Sequence, residues 1–139
     1  MADFTSEVKL IPYSSGTIFS VLSDLSKLEK VKDKIPQDKI TNFSFDRDYC
    51  SFAISPIGKI KFVVVDREPN KTVKFEAEQI PFAIHLWIQL KEKDENNTFM
   101  KMTVKADLNP FLKPMVSKPL QEGLDKMAVI LSSLPYDQI

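Results

Sequence analysis

Residues 82–107 read FAIHLWIQLKEKDENNTFMKMTVKAD, and they contain the clearest pattern in the chain. Apolar side chains occupy every second position on both sides of a charged, amide-rich centre at 93–97. This alternation is typical of strands that are buried on one face, because successive side chains point to opposite sides of a strand. The apolar positions are Ile84, Leu86, Ile88 and Leu90, then Met100, Met102, Val104 and Ala106. The stretch therefore predicts two antiparallel strands, 82–93 and 98–107.

Four more strands are predicted upstream, at 40–46, 49–55, 58–67 and 71–79, each bounded by turn residues. Their apolar faces carry Cys50, Phe52 and Ile54, then Ile60, Phe62 and Val64, then Val73, Phe75 and Ala77. No segment between these strands is long enough to form a helix that crosses between parallel strands. We therefore expect an antiparallel meander with one buried face, which another apolar element must cover.

The N-terminal part of the chain predicts one strand and two short helices. Residues 4–11 alternate, so that Phe4, Ser6, Val8 and Leu10 share one face. Further along, apolar residues recur at steps of three and four, which is the spacing of one helix face. A cap-like pair, Ser23-Asp24, divides this region into helices at about 15–23 and 24–33.

The element that covers the sheet is predicted at residues 111–134. Its apolar residues recur at helical spacing and are Val116, Leu120, Leu124, Met127, Leu131 and Leu134. Polar side chains occupy the opposite side, so we expect one long amphipathic helix against the sheet. Pro119 falls inside this helix and removes a backbone hydrogen bond, which predicts a kink or a break.

Length and composition exclude several classes of protein. A chain of 139 residues can bury a substantial core as one domain, 1–139, and is too short for two. The 19 basic and 19 acidic residues cancel, so no positive field favours nucleic acid. No apolar run approaches the roughly 18 residues of a membrane span, so no stable membrane insertion is expected. With one cysteine, Cys50, and no secretory pattern, we expect a cytoplasmic protein.

Few residues are candidates for catalysis. His85 is the only histidine, and alternation places it on the polar face of its strand, which favours a partly exposed structural residue. A structural zinc site needs four cysteine or histidine ligands, and the chain has two such residues in all. The three glycines are widely separated and form no phosphate-binding loop. We therefore predict no catalytic residue, no metal and no cofactor.

Two further patterns have alternative interpretations. Asp46-Arg47-Asp48 and Asp66-Arg67-Glu68 place acids two residues apart, but both lie at turns, where local ion pairs are simpler than paired catalytic carboxylates. Trp87 shares the outer face with His85. Either a neighbouring loop or helix covers this aromatic side chain, or it contacts a partner, including a second copy in a homodimer.

Three segments carry a resemblance to a known superfamily. They are the first strand ending in Ile11-Pro12, the segment TIFSVLSDL at 17–25 with Pro36 following, and Asn109-Pro110-Phe111 leading into the last helix. With the order of elements, they resemble the START-like (SRPBCC) superfamily over essentially the whole chain. That superfamily includes pollen allergens, lipid-transfer domains and polyketide cyclase/dehydrase-like proteins. The resemblance implies an α+β helix-grip fold, in which a curved seven-stranded antiparallel sheet wraps around a long C-terminal helix and two short helices follow strand 1.

The resemblance also implies an apolar cavity between the sheet and the C-terminal helix, which in many members holds a lipid, sterol, hormone or polyketide. We expect a cavity of a few hundred Å³ or more, the usual size of a small-molecule site. Its predicted lining is Val8, Phe52, Ile54, Phe62, Val64, Phe75, Ile84, Leu86, Ile88, Met100, Met102, Val104, Phe111, Met115, Leu120 and Leu124. Ser6, Ser44 and Tyr49 are candidates for orienting a ligand, and Phe111, Met115 and Pro119 form either its entrance or one end of the core.

The leading hypothesis is therefore a module that binds a small hydrophobic or amphipathic ligand, lipid-like or polyketide-like, without an enzyme activity. A polyketide cyclase/dehydrase-like enzyme is one alternative, and it needs inward acid or base groups, of which the alternation offers almost none. A protein-partner or chaperone-regulating module, like the heat-shock-ATPase activator relatives, is another. It would use the outer face around Trp87 and His85.

Overall fold

The computed structural model describes residues 2–35, 40–54, 58–78, 80 and 82–139. Within them, one curved antiparallel sheet contains eight strands. The strands are β1 Ala2–Thr5, β2 Lys9–Ile11, β3 Ile40–Phe45, β4 Tyr49–Ile54, β5 Gly58–Glu68, β6 Thr72–Glu78, β7 Ile84–Asp94 and β8 Asn97–Ala106. Their order is β1-β8-β7-β6-β5-β4-β3, and β2 also pairs with β8. The predicted meander is confirmed, although Pro36 and the expected strand ends at 55 and 79 lie outside the described residues.

Two short helices follow β2, as predicted. Helix α1 spans Ser15–Leu22, and a 3-10 helix spans Leu25–Lys34. The hydroxyl of Ser14 accepts a hydrogen bond from the Thr17 N–H at 3.2 Å and caps α1. Asp24 caps the 3-10 helix, because its carboxylate accepts a hydrogen bond from the N–H of the second residue in that helix. Each cap satisfies a backbone donor that the helix itself leaves without a partner.

The long C-terminal helix, α2, spans Lys113–Ser132, and a 3-10 turn at Tyr136–Gln138 follows it. The helix continues through Pro119, so a break near that residue is wrong. Pro119 deprives only the carbonyl of Met115 of its partner. Met115 is exposed, and water can therefore replace the lost bond.

The inner face of the sheet and the apolar stripe of α2 form one core. Burial follows the predicted alternation in β5, β7 and β8, and Cys50 and Ala77 are partly buried against the same core. In β4 the inward Phe52 and Ile54 are buried, and Ser51 on the outer face is buried as well. The helix contributes Val116, Leu120 and Leu124. The helix-grip arrangement is therefore confirmed, with the predicted seven strands counted as eight because the first is divided in two.

The division of the first strand is a β-bulge. Thr5 pairs with Thr103 and Lys9 pairs with Met100, so the three residues 6–8 lie opposite two residues of β8. One extra residue in a strand breaks the two-residue repeat and sends the following side chains to the other face. The predicted strand 4–11 is correct in position and wrong in its regular alternation.

The bulge changes which apolar side chains face the core. Phe4 and Ile11 are buried, whereas Val8 and Leu10 are 58% and 48% exposed. The expectation that Val8 and Leu10 share the inner face with Phe4 is therefore corrected. Ile11 takes the inward position that alternation assigned to Leu10.

Candidate ligand cavity

An apolar cavity of about 90 Å³ lies between the sheet, the first 3-10 helix and α2. Its wall consists of Leu22, Leu25, Leu28, Ile35, Ile40, Phe43, Phe45, Cys50, Phe52, Ile54, Ile60, Phe62, Phe75, Leu86, Ile88, Met102, Val104, Leu120, Gly123, Leu124, Met127, Ile130, Leu131 and Leu134. Among these described residues, none has a charged, amide or hydroxyl side chain. The cavity can therefore offer dispersion contacts and apolar burial, but no side-chain salt bridge.

Ten of the sixteen predicted lining residues border this cavity: Phe52, Ile54, Phe62, Phe75, Leu86, Ile88, Met102, Val104, Leu120 and Leu124. Val64, Ile84 and Met100 are buried in the core beyond its wall. Strand alternation and helical spacing therefore selected mostly residues that border the cavity. They could not distinguish a residue that borders the cavity from one that packs behind it.

The predicted lining is corrected at Val8, Phe111 and Met115, which do not reach the cavity. Val8 lies in the bulge described above. Phe111 is 88% exposed in the turn before α2, and Met115 is 64% exposed in the first turn of that helix. The helix turns its Val116 side toward the core, so its neighbour Met115 faces solvent.

The cavity is smaller than the expected few hundred Å³ because aromatic rings fill the space. The ring centroids of Phe43 and Phe52 are 5.9 Å apart, and those of Phe52 and Phe62 are 5.8 Å apart. Phe45 extends the same row, with its ring centroid 5.8 Å from that of Phe43. Rings in contact at these distances leave little room between them.

The first 3-10 helix supplies a part of the wall that the strand pattern did not predict. Leu25, Leu28 and Val31 are buried, and the first two border the cavity. Their spacing of three residues is the repeat of a 3-10 helix, in which residues i and i+3 lie on one side. This spacing was the available sequence signal for that wall.

A second bulge, in β3, explains the wall residues Ile40 and Phe43. The register of β3 against β4 shifts between Thr41 and Ser44. Asn42 adopts a positive φ of 58° at this point. Ile40 and Phe43 therefore both face the core, although they are three residues apart.

None of the polar residues expected to orient a ligand reaches the cavity. The Ser6 hydroxyl accepts a hydrogen bond from the Met102 N–H at 2.9 Å and donates to the carbonyl of Glu7. Ser44 and Tyr49 border a separate groove on the outer face of the sheet. The expectation for these three residues is corrected, since bulges and strand pairing direct them elsewhere.

Cys50 is the wall residue with reactive chemistry, but its environment suppresses that chemistry. Burial raises the pKa of its thiol to about 12. The thiolate is the nucleophilic form of cysteine, and it is scarce so far below the pKa. Cys50 therefore acts as a small apolar wall residue.

Two of the four turn carboxylates, Asp48 and Glu68, form ion pairs outside the cavity, with Arg67 and Lys71. Arg67 Nη2 lies 2.6 Å from Asp48 Oδ1, and Arg67 Nε donates a hydrogen bond to the Ser23 carbonyl at 2.9 Å. Arg67 thereby connects the end of β5 to the start of β4 and to the C-terminus of α1. In the part of the chain that the structure describes, no group of three His, Cys, Asp or Glu side chains could hold a metal ion.

His85 and Trp87 lie on the outer face of the sheet, as alternation predicted. His85 Nδ1 is 3.5 Å from Glu76 Oε1. Lys74 Nζ and Lys105 Nζ lie 5.2 and 6.0 Å from the centroid of the Trp87 ring. Side chains of neighbouring strands thus partly cover Trp87, and a homodimer through this face stays a prediction.

The architecture is the START-like helix-grip fold. A START superfamily protein from Mycobacterium smegmatis is similar over 98% of this chain and 97% of its own, with a TM-score of 0.69 and 15% identity. A norcoclaurine synthase point mutant from Thalictrum flavum, in complex with a transition-state analogue, is similar over 99% and 98%, with a TM-score of 0.70 and 16% identity.

A second structure of the Thalictrum flavum norcoclaurine synthase is in complex with dopamine and hydroxybenzaldehyde. It covers 99% of this chain and 89% of its own, with a TM-score of 0.69 and 16% identity. No family model and no curated protein matches the chain. These similarities define the fold.

Among the described residues, no helix is long and apolar enough to cross a membrane.

Proposed function

We propose that this protein binds a small apolar molecule in the cavity between the sheet and α2. The continuous apolar wall carries the proposal, because such a cavity excludes water and accepts an apolar guest. Removal of the guest from water supplies the driving force, at about 25 cal/mol per Å² of apolar surface. The absence of a polar anchor among the described wall residues favours a ligand with little hydrogen-bonding capacity.

The cavity volume limits the size of the ligand. Its 90 Å³ is below the about 150 Å³ of an engineered cavity that binds benzene or xenon. A single ring therefore requires the wall to expand by about 60 Å³ to reach that volume. Met102 and Met127 are suited to such an expansion, because methionine side chains are unbranched and adaptable. A larger lipid-like or polyketide-like ligand requires the wall to move further.

One similar structure holds single-ring molecules. The Thalictrum flavum norcoclaurine synthase was solved with dopamine and hydroxybenzaldehyde together. Both molecules carry polar groups, for which the described wall of this cavity offers no charged, amide or hydroxyl side chain, so we propose a less polar ligand for this chain. A cyclase-like reaction is the weaker alternative for this chain, since an acid–base step needs a proton donor or acceptor beside the ligand. The described wall offers only the Cys50 thiol, whose pKa burial raises.

A cytoplasmic location is part of the proposal and agrees with a lone free cysteine.

Native mass spectrometry of the freshly purified protein, followed by organic extraction, tests the proposal and identifies the ligand class. A matched pair of variants locates the site: Leu124→Phe fills the cavity, and Val129→Phe adds the same ring to an exposed position of α2. We expect an apolar adduct on the native chain and on Val129→Phe, and its loss from Leu124→Phe. Equal retention by both variants, with circular dichroism confirming that both fold, would place the ligand elsewhere.

A further inference from the structure

A second concavity lies on the outer face of the sheet, on the opposite side from the apolar cavity. It has a volume of about 410 Å³, which is within the range of small-molecule sites. We call it the outer groove. It is lined by Asn42, Ser44, Tyr49, Ser51, Ala53, Lys59 and Lys61.

The strand pairing explains why a groove forms here. Ser51 and Ala53 of β4 are small, and they lie opposite Lys61 and Lys59 of β5. Short side chains on the central strand form the floor, and the long lysine side chains form one wall. Ser44 of β3 pairs with Ser51 and contributes to the other wall. The groove therefore follows β4 along its outer face.

The bulge in β3 adds hydrogen-bonding groups to this second wall. Asn42 and the residue after it lie opposite a single residue of β4. A bulge leaves a backbone group without a ladder partner. Asn42 has a positive φ of 58° at the bulge, and it lines the groove. The bulge that shapes the inner cavity thus also shapes the outer groove.

The groove is positively charged. Lys59 and Lys61 are the charged residues of its described lining, and no carboxylate accompanies them. Lys61 Nζ lies 4.2 Å from the centroid of the Tyr49 ring. Glu78 is the cross-strand neighbour of Lys61. The ion pairs of the described residues include none between these two side chains. Two ammonium groups two residues apart on one strand face repel each other, and an anion between them relieves that repulsion.

We propose that the outer groove binds the phosphate group of a small phosphate monoester. Two lysines match the charge of a phosphate monoester, which approaches −2 at neutral pH, better than that of a single carboxylate. The hydroxyls of Ser44, Ser51 and Tyr49 and the amide of Asn42 can donate hydrogen bonds to its oxygens. The groove volume leaves room for a molecule larger than phosphate alone. This site is independent of the apolar cavity and of its proposed ligand.

Titration with glycerol 3-phosphate and with inorganic phosphate, followed by amide NMR, tests the proposal. We expect glycerol 3-phosphate to cause saturable shifts at residues 42–44, 49–53 and 59–61 and to bind at least about threefold more tightly than inorganic phosphate. Absence of saturable shifts in these ranges would overturn the proposal. Equal affinities for glycerol 3-phosphate and inorganic phosphate would overturn the proposal of an ester ligand and would indicate that the groove binds the free phosphate ion.

Two variants separate charge from shape. Lys59→Gln with Lys61→Gln removes both cations, and we expect at least about tenfold weaker binding, because charge-assisted contacts are lost. Ala53→Leu keeps both cations and fills the floor, with a similar expected loss. The control, Lys91→Gln with Lys101→Gln, removes the same charge from strands β7 and β8 and should stay within about twofold of the native protein. Equal weakening by the control would mean general attraction of anions and would overturn the site.

Discussion

Gly123 of α2 approaches Ile54 of β4 so closely that a Cβ atom on the glycine would lie 2.4 Å from Ile54 Cδ1. Both residues border the apolar cavity. At this point the absence of a side chain on the helix allows the sheet side chain to fit beneath it. A Cβ atom at position 123 would therefore force the end of the Ile54 side chain, and the part of the cavity wall that it forms, to shift.

Gly123→Ala is expected to couple energetically to Ile54→Val. Alanine favours a helix interior over glycine by about 1 kcal/mol, but its Cβ displaces Ile54 Cδ1. Ile54→Val removes that methyl group and costs about 0.5–1.5 kcal/mol in the native background. In the alanine background the cost should fall by at least about 0.5 kcal/mol. Urea unfolding of the four proteins measures this difference.

Ile60→Val is the control for this double-mutant comparison. Ile60 also borders the cavity, but the atoms nearest to Gly123 belong to Ile54 and Ile40. Its cost should be the same with glycine or alanine at position 123. If Ile54→Val lowers the free energy of unfolding equally in both backgrounds, a Cβ atom at position 123 does not displace the Ile54 side chain.

Val104→Asp is expected to abolish the folded state. Val104 is 5% exposed and pairs with Leu86 on the inner face of the sheet. A carboxylate there loses its hydration without gaining a partner, which costs several kcal/mol. Leu86→Asp should act in the same way. The control is Lys105→Asp, one residue away on the outer face, which should remain folded. A native melting transition for Val104→Asp in circular dichroism would show that Val104 faces solvent and not the core.

His85→Ala is expected to leave apolar ligand binding unchanged within about twofold, because His85 lies on the face opposite the cavity. Its Nδ1 is buried without a hydrogen-bond partner and lies 3.5 Å from the half-exposed carboxylate of Glu76. An ion pair with so exposed a carboxylate contributes about 0–1 kcal/mol. Leu86 is the next residue along the strand and faces the cavity. Leu86→Ala should therefore change the affinity for benzene and lower the free energy of unfolding by about 2–5 kcal/mol. Calorimetric titration with benzene compares the two variants, and a large loss of affinity in His85→Ala would place the histidine in the site.

Stability is expected to fall in alkaline solution. Burial raises the pKa of the Cys50 thiol from 9.0 to about 12, and burial also raises the pKa of the Tyr136 phenol. The folded state therefore holds these protons at pH values where the unfolded chain has lost them. The free energy of unfolding is unaffected below about pH 9 and decreases as the pH rises from there toward 12.

Urea unfolding between pH 7 and 11 measures this decrease, and Cys50→Ala isolates the contribution of the thiol. The variant should lose less stability than the native protein over this interval. An identical pH dependence in the two proteins would show that the Cys50 thiol is accessible to solvent.

The strand periodicity predicted most of this fold because it reports the buried face directly. Ile84, Leu86 and Ile88 are buried as their spacing requires, and the intervening residues lie on the outer face. Alternation fails where a strand contains an extra residue. Val8 and Asn42 lie in bulges, and a bulge is set by the pairing partner rather than by the local pattern.

The cavity was less predictable than the sheet. Its volume depends on how the rings of Phe43, Phe52 and Phe62 fit together, which is a property of three-dimensional packing. Sequence spacing identifies the inner face but does not measure the space left above it. The outer groove, similarly, required the strand register that places Ser51 and Ala53 between longer side chains.

The most direct measurement is a benzene titration followed by methyl-resolved NMR. Binding in the cavity predicts saturable shifts for methyl groups of wall residues such as Ile54, Ile88 and Leu124. The methyl groups of the exposed residues Val65 and Val129 should remain unchanged. A titration that does not saturate, or that shifts the exposed methyl groups equally, would contradict a binding cavity between the sheet and the C-terminal helix.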